Sequence, residues 1–124
     1  MLNRDGITKT TYAATKQILA NVELQSSVGC IVPQSIGVTV GARKIAKAGT
    51  PIKIDLMNTS AAVSAAGATD INAVLLHDVD VTEGNANGTA LIFGFVNVNR
   101  VDSDVAAKIA ALTTNSSKVT FLKL

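Results

Sequence analysis

One run of ten residues, Thr89–Val98, restricts the fold of this chain more than any other segment. It contains no charged residue and consists mainly of aromatic, aliphatic and β-branched side chains. Large apolar side chains occupy both faces of the extended strand, with Leu91, Phe93 and Phe95 on one and Ile92, Val96 and Val98 on the other. A strand that is apolar on both faces belongs inside a sheet with both faces covered, so we expect Phe93 to be buried in the core.

A second β-rich segment, residues 73–81, precedes this strand, and residues 82–88 connect the two. The connection ends in Asn87-Gly88, a strong turn signal because both residue types tolerate positive φ angles. This pattern predicts a β-hairpin. Gly94 in the second strand predicts a bulge or the close approach of another backbone segment.

Shorter patterns surround this predicted hairpin. Ile52, Ile54 and Leu56 alternate with polar residues, which predicts a half-buried strand. Residues 58–70 are small and polar and predict a surface loop, whereas residues 26–41 mix β-branched pieces with Gly and Pro and predict short strands.

The C-terminal part predicts one helix and one further strand. Val105, Ile109 and Leu112 follow helical spacing within residues 101–112, and Asp102 or Ser103 precedes them as a candidate N-cap. Residues 118–124 then predict a terminal strand.

The N-terminal part has a looser pattern. Apolar residues between Thr11 and Leu24 fall near helical spacing, so a short helix and an extended arm are both compatible with the sequence. We therefore divide the chain into an N-terminal arm with the first strands, residues 1–40, and a single β-rich domain, residues 41–124. The predicted fold class is mainly β (α+β): a small barrel or sandwich-like domain with one short helix near the C-terminus.

Charge excludes some function classes. The chain has 124 residues and a net charge of +2, far below the basic excess typical of nucleic-acid-binding proteins. No apolar run approaches the roughly 20 residues of a membrane-spanning helix, and the first residues lack a signal-peptide layout, so we expect a chain that is neither membrane-bound nor exported.

The charges that are present are unevenly distributed. Residues 1–53 carry seven basic and two acidic residues, residues 54–105 carry one and seven, and residues 106–124 carry three and none. This division is compatible with an ordinary solvated surface or with an electrostatically matched interface between copies or with a partner.

Residue types used in catalysis or metal binding are scarce. One Cys, Cys30, and one His, His77, make neither a disulfide nor a His-rich metal site. The acidic tract that begins at Asp78 places Glu83 where an EF-hand loop requires Gly. We therefore predict no enzymatic activity, no metal and no other cofactor, and we interpret Cys30 as a small buried apolar residue.

Candidate contact residues fall into two groups. Arg43, Lys44 and Lys47 form a basic patch that suits either a solvated strand edge or a partner site. The other candidates are the aromatic and aliphatic residues of the N-terminal part: Tyr12, Ile18, Leu19 and Val22.

A resemblance is carried by the order and spacing of several segments: residues 47–51, 73–82, 84–89 and 92–97, followed by the closing helix and strand. In these segments the sequence resembles the head decoration, or head fibre, proteins of tailed bacteriophages that infect Gram-positive hosts, and it is more distantly similar to lambda-like decoration proteins. The likeness covers roughly residues 40–124 and extends more loosely into the N-terminal part.

The resemblance implies a virion structural protein on the outer surface of the bacteriophage head. Its implied partner is the major capsid protein of the same phage, and its implied assembly is a homo-oligomer, with a trimer favoured. Two alternatives stay open: a tail or baseplate accessory module, and a small carbohydrate-binding or adhesion domain. Exposed aromatic side chains would favour the last of these, and the whole chain has only four aromatic residues.

Overall fold

The computed structural model describes residues 17–124, which form a mainly β domain as the sequence predicts. Nine strands and one α-helix lie within this range, together with two short 3-10 turns, Gln34–Ile36 and Val98–Arg100. The strands are β1 Ser26–Val32, β2 Val38–Val40, β3 Arg43–Ala46, β4 Pro51–Lys53, β5 Ser64–Ala65, β6 Ala73–Leu75, β7 Val79–Asp80, β8 Ala86–Asn97 and β9 Lys118–Leu122; the helix is α1 Ser103–Ala110.

The larger sheet curls into a small barrel. Its strands follow the order β1-β8-β6-β4-β5 with antiparallel neighbours, and β9 lies parallel to the second half of β8. The residues that lead into β5 return to β1: Ala62 forms a parallel bridge with Ile31, and the Val63 N–H donates to the Ile31 carbonyl at 2.9 Å. This bridge joins the two edges of the sheet at one point.

A smaller sheet, β2-β3-β7, packs against the barrel. Ala46 on β3 and Val79 on β7 belong to the same buried cluster as Leu75 on β6 and Ala90 on β8. This cluster forms the barrel interior together with Cys30, Val32, Ile36, Ile52, Ile54, Val63, Ala73 and Val81. Burial of these side chains is the main source of stability for the domain.

A second buried cluster lies on the outer face of β6 and β8. Val74 and Leu91 point outward from the barrel and are covered by residues 18–19, β9 and the elements around α1. Val105 of α1 is also buried, and a Cβ atom at Gly49 would lie 3.2 Å from its Cγ1. The helix confirms the predicted C-terminal helix in a shorter form, and the Asp102 carboxylate makes no capping hydrogen bond.

The expected position of Phe93 is wrong. Phe93 is 43% exposed, because the strand alternation on which we based its burial is interrupted. Ser27 pairs with Leu91 and Ser26 with Phe93, so Ile92 is an extra residue in β8. Gly94 follows with φ +153°, and the Leu24 carbonyl approaches the position of its missing Cβ to 3.4 Å, so both the predicted bulge and the predicted close approach occur.

The predicted turn at Asn87-Gly88 is also wrong. Both residues lie within β8 and pair with β1, whereas the chain turns at Gly84, where φ is +132°. A Cβ atom at Gly88 would lie 2.8 Å from Val32 Cγ2. Gly88 therefore serves close packing and not a turn. The strands β6 and β8 do pair as antiparallel neighbours. Between them in sequence lies β7, which belongs to the smaller sheet.

The segment 58–70 is only partly the surface loop that we predicted. Most of its side chains are exposed, but Val63 is buried and β5 lies within the segment. Small residues let this stretch lie flat between β1 and β4, which closes the barrel. The predicted strand 52–56 ends early, and Leu56 is 50% exposed.

The N-terminal residues that the structure describes are part of the domain. Ile18 and Leu19 are buried, Leu19 bridges Val96, and the Asn97 N–H donates to the Ile18 carbonyl at 2.8 Å. Residues 17–24 contain no helix. β1 also pairs with β8 over seven positions, so residues 26–32 are part of the larger sheet.

Candidate functional site

An exposed apolar surface surrounds Phe93. A groove of about 330 Å³ contains the side chains of Leu56, Ile92 and Phe93, and Met57 lies beside Leu56 in sequence with 94% of its surface exposed. The remaining lining residues are Ser26, Asn72, Ser116, Ser117 and Lys118. We call Leu56, Met57 and Phe93 with this groove the Phe93 surface.

Local backbone geometry exposes these side chains. The bulge at Ile92 places Phe93 between Ser26 on β1 and Lys118 on β9. Phe93 is 43% exposed there, and its one aromatic contact among residues 17–124 is an edge-on approach to Phe95, with ring centroids 6.5 Å apart and an interplanar angle of 65°.

A turn presents Leu56 and Met57. The Asp55 carboxylate accepts a hydrogen bond from the Met57 N–H at 3.0 Å, and the Asn58 N–H donates to the Asp55 carbonyl at 3.1 Å. This is the Asx-type geometry that ends a strand and begins a turn. The two apolar side chains are therefore held outward by a fixed backbone.

Large apolar side chains grouped around a groove are typical of protein–protein contact sites. The sequence reasoning missed Leu56, Met57 and Phe93 as contact candidates. Two sequence signals could have revealed them: Gly94, which interrupts the alternation, and Asp55 with Asn58, which bracket the turn.

The predicted basic patch is largely neutralised within the chain. Arg43 pairs with Asp80 at 2.5 Å, and Lys47, whose side chain is 19% exposed, lies 3.2 Å from both Asp102 and Asp104. Lys44 is half-buried, and its backbone N–H donates to the Thr82 hydroxyl at 2.8 Å. Two of the three basic side chains of the patch, Arg43 and Lys47, are therefore paired within the chain.

The pKa values of two of these groups reflect this pairing. Burial of the Lys47 amine favours its neutral form, but the hydrogen bonds and charges of Asp104 and Asp102 outweigh that effect and raise its pKa. The pKa of Asp80 is lowered, first by hydrogen bonds from the Thr82 hydroxyl and backbone N–H and then by Arg43.

Uneven charge along the sequence is matched inside the folded chain. Four ion pairs join described residues, and each connects a basic residue of 1–53 with an acidic residue of 54–105; the fourth is Lys53 with Asp70 at 4.0 Å. Basic residues of the first part of the chain therefore pair with acidic residues of the middle part within one molecule. The sequence suggested instead a solvated surface or an interface between molecules.

The other sequence candidates lie in different places. Ile18 and Leu19 are core residues, so they do not offer a surface to a partner, and this part of the contact prediction is wrong. Val22 is 56% exposed, on the segment between the Leu19 bridge and β1. Tyr12 lies outside the described residues.

A second groove of about 330 Å³ lies between the end of α1 and the barrel. We call it the Lys108 groove, after the one charged residue in its lining. The apolar lining residues are Ile36, Pro51, Ala65, Ala66, Ala68, Ala111 and Leu112.

Residues with chemically reactive side chains have structural surroundings. Cys30 is buried, as predicted, and burial raises the pKa of its thiol, which keeps it protonated. The Asp78 carboxylate accepts a hydrogen bond from the Ala48 N–H at 2.7 Å. Within residues 17–124, no three His, Cys, Asp or Glu side chains are grouped so that they could hold a metal ion.

No described helix is long and apolar enough to cross a membrane.

No protein-family model matches the sequence, and no curated protein matches it. The functional conclusion therefore depends on the surface geometry and on the resemblance over residues 40–124.

Proposed function

We propose that this chain is a virion structural protein that decorates the outer surface of a bacteriophage capsid by binding the major capsid protein. The observation that carries the proposal is the Phe93 surface. Phe93 and Leu56 expose 43% and 50% of their surfaces in one groove, and Met57, the neighbour of Leu56 in sequence, exposes 94%, on a domain whose other large apolar side chains are mostly buried.

The chemistry of this surface suits attachment. Among the residues that the structure describes, Lys118 is the only charged one that lines the groove, so binding would depend on apolar contact and shape more than on charge. Salt should then change the affinity little, because screening acts mainly on exposed charges.

Repetition on a shell strengthens such an attachment. Each contact is small, but a decoration protein that spans neighbouring capsid subunits binds through several sites at once. We propose a homo-oligomer with a trimer favoured, since closed rings of identical subunits match symmetry axes of a capsid. The protein would be made in the host cytoplasm and located on the finished head.

The test uses particles of the encoding phage prepared without this protein. Purified chain is added, unbound protein is removed by sedimentation, and the particles are imaged by electron cryomicroscopy at low and high salt. We expect added density at regular positions on the head in both conditions.

Density confined to the tail or baseplate would overturn the capsid assignment and favour the alternative of a tail or baseplate module. Particles that bind no chain at any salt concentration would overturn virion attachment altogether.

A further inference from the structure

The first feature that the proposed attachment leaves unused is the segment Asn21–Gln25. It interrupts the pairing along one edge of β8, between the Leu19 bridge and β1. The Asn21 side chain accepts hydrogen bonds from the Glu23 N–H at 2.9 Å and the Leu24 N–H at 3.2 Å, so the segment has a defined turn.

This segment presents an apolar–acidic–apolar ridge. Val22 and Leu24 are 56% and 54% exposed, and Glu23 between them is exposed. Among residues 17–124 no basic side chain forms an ion pair with Glu23, although Asp70, Asp80, Asp102 and Asp104 all have such partners. An exposed ridge of this composition is complementary to a partner surface that is apolar and carries one basic side chain.

The Lys108 groove has that composition. Its lining is apolar apart from small polar groups, and Lys108 forms no ion pair with any carboxylate of the described residues. Aliphatic side chains such as Val and Leu would fit against its small alanines, and a carboxylate between them would meet the lysine amine.

Ridge and groove are separate surfaces of the described structure, since none of Val22, Glu23 and Leu24 lines the groove. The ridge directly precedes Ser26 at the start of β1, whereas Ser35 and Ile36 of the groove follow shortly after Val32 at its end. Seven residues of strand separate the two ends by about 20 Å at roughly 3.3 Å per residue. In the folded chain the ridge therefore lies outside its own groove, so a ridge that occupies a groove belongs to a second copy.

We propose that the ridge Val22-Glu23-Leu24 of one copy docks into the Lys108 groove of a second copy, with Glu23 paired to Lys108. This contact is head-to-tail, because it joins two different surfaces, and head-to-tail contacts form closed rings when the rotation between copies closes. The inference rests on the self-association proposed above and needs no capsid, and it leaves the Phe93 surface available for the shell.

Disulfide trapping tests the contact directly. The ridge variant Glu23→Cys and the groove variant Lys108→Cys are prepared separately in a Cys30→Ala background, mixed at high concentration and oxidised. We expect a covalent dimer from the mixture, because each molecule supplies one partner of the same contact. The matched control replaces Lys108→Cys by Lys118→Cys, an exposed lysine in a different groove, and should give little dimer.

Charge reversal gives a second readout in solution. Glu23→Lys and Lys108→Glu should each weaken self-association by about tenfold, and the two changes together should restore it, because the pair is re-formed with opposite sign. Lys118→Glu should have no such effect and no such rescue.

Equal trapping with the Lys118→Cys control, absence of any covalent dimer, or failure of the double reversal to rescue would each overturn the proposed contact. Successful trapping by a chain that does not bind capsids would overturn the proposed function and leave this contact standing.

Discussion

The interior of the barrel and the Phe93 surface are both built from apolar residues of the same strand, β8. Ala90 is fully buried in the barrel interior and Leu91 in the second cluster, whereas Phe93, only two residues after Leu91, exposes 43% of its surface. The bulge at Ile92 and the positive φ of Gly94 separate the two regions. Apolar composition alone therefore does not distinguish residues that build the fold from residues that are left for a partner.

Truncation provides the largest test of what belongs to the fold. Deleting residues 1–25 removes Ile18 and Leu19 from the second buried cluster, and the loss of two such side chains at about 2–5 kcal/mol each should unfold the domain. Deletion of residues 1–16 leaves these contacts in place and serves as the control. Circular dichroism and thermal melting of both truncations measure the difference, and a stably folded 26–124 fragment would show that Ile18 and Leu19 are dispensable for the fold.

Leu75→Ala tests the barrel interior. Leu75 is fully buried in the interior cluster, so the truncation leaves a cavity and should lower the free energy of unfolding by about 2–5 kcal/mol. Chemical denaturation measures this loss. A loss below about 1 kcal/mol would mean that the closed barrel is not the stabilising core.

Gly94→Ala tests the feature that divides the two regions. At φ +153° a Cβ is strained, and it would also approach the Leu24 carbonyl at 3.4 Å, so we expect a loss of about 1–3 kcal/mol. Gly29→Ala in β1 is the control, because a Cβ there meets no atom within 4 Å. Equal stability of the two variants in denaturant would show that the bulge does not require glycine.

Asp80→Asn has the smallest expected effect on stability. The folded-state pKa of Asp80 lies below the ordinary value of 3.8, so its carboxylate stabilises the fold at neutral pH, and this contribution is lost as the pH falls below about 4. The variant should therefore lose slightly less stability than the parent between neutral and acidic pH. Glu83→Gln, which removes an exposed carboxylate without an ion pair among residues 17–124, is the control. Parallel stability curves for the parent and Asp80→Asn would contradict the prediction.

Much of the fold was accessible from sequence because periodicity reports burial within one uninterrupted element. The helix near Val105 and the strand at residues 118–122 were predicted in this way. The place where the barrel closes was not predicted, since closure depends on a single long-range bridge between Ile31 and Ala62 in a stretch of small residues that carry no periodic signal.

The candidate site was harder to predict for a related reason. The sequence prediction assumed that side chains alternate between the two faces along the whole of β8, with one register. That assumption placed Phe93 in the core. Conversely, Ile18 and Leu19 lacked neighbours with a clear period, so nothing local indicated that they pair with the far end of β8. Ion pairs such as Lys47 with Asp104 join residues far apart in sequence, and charge counts along the chain do not reveal them.

Phe93 is the residue that we propose serves attachment and not the fold. Phe93→Ala should cost only about 1 kcal/mol of stability, because the ring is already partly in water and loses mainly its contact with Phe95. The matched control is Val40→Ala, at an apolar residue with 42% exposure on the smaller sheet.

The deciding measurement is the affinity of both variants for undecorated capsids of the encoding phage, determined by co-sedimentation. We predict that Phe93→Ala binds about tenfold or more weakly than the parent, as expected for loss of an aromatic contact at the centre of an interface, and that Val40→Ala binds like the parent. Parent-like binding by Phe93→Ala, with its fold intact, would contradict the assignment of the Phe93 surface as the attachment site.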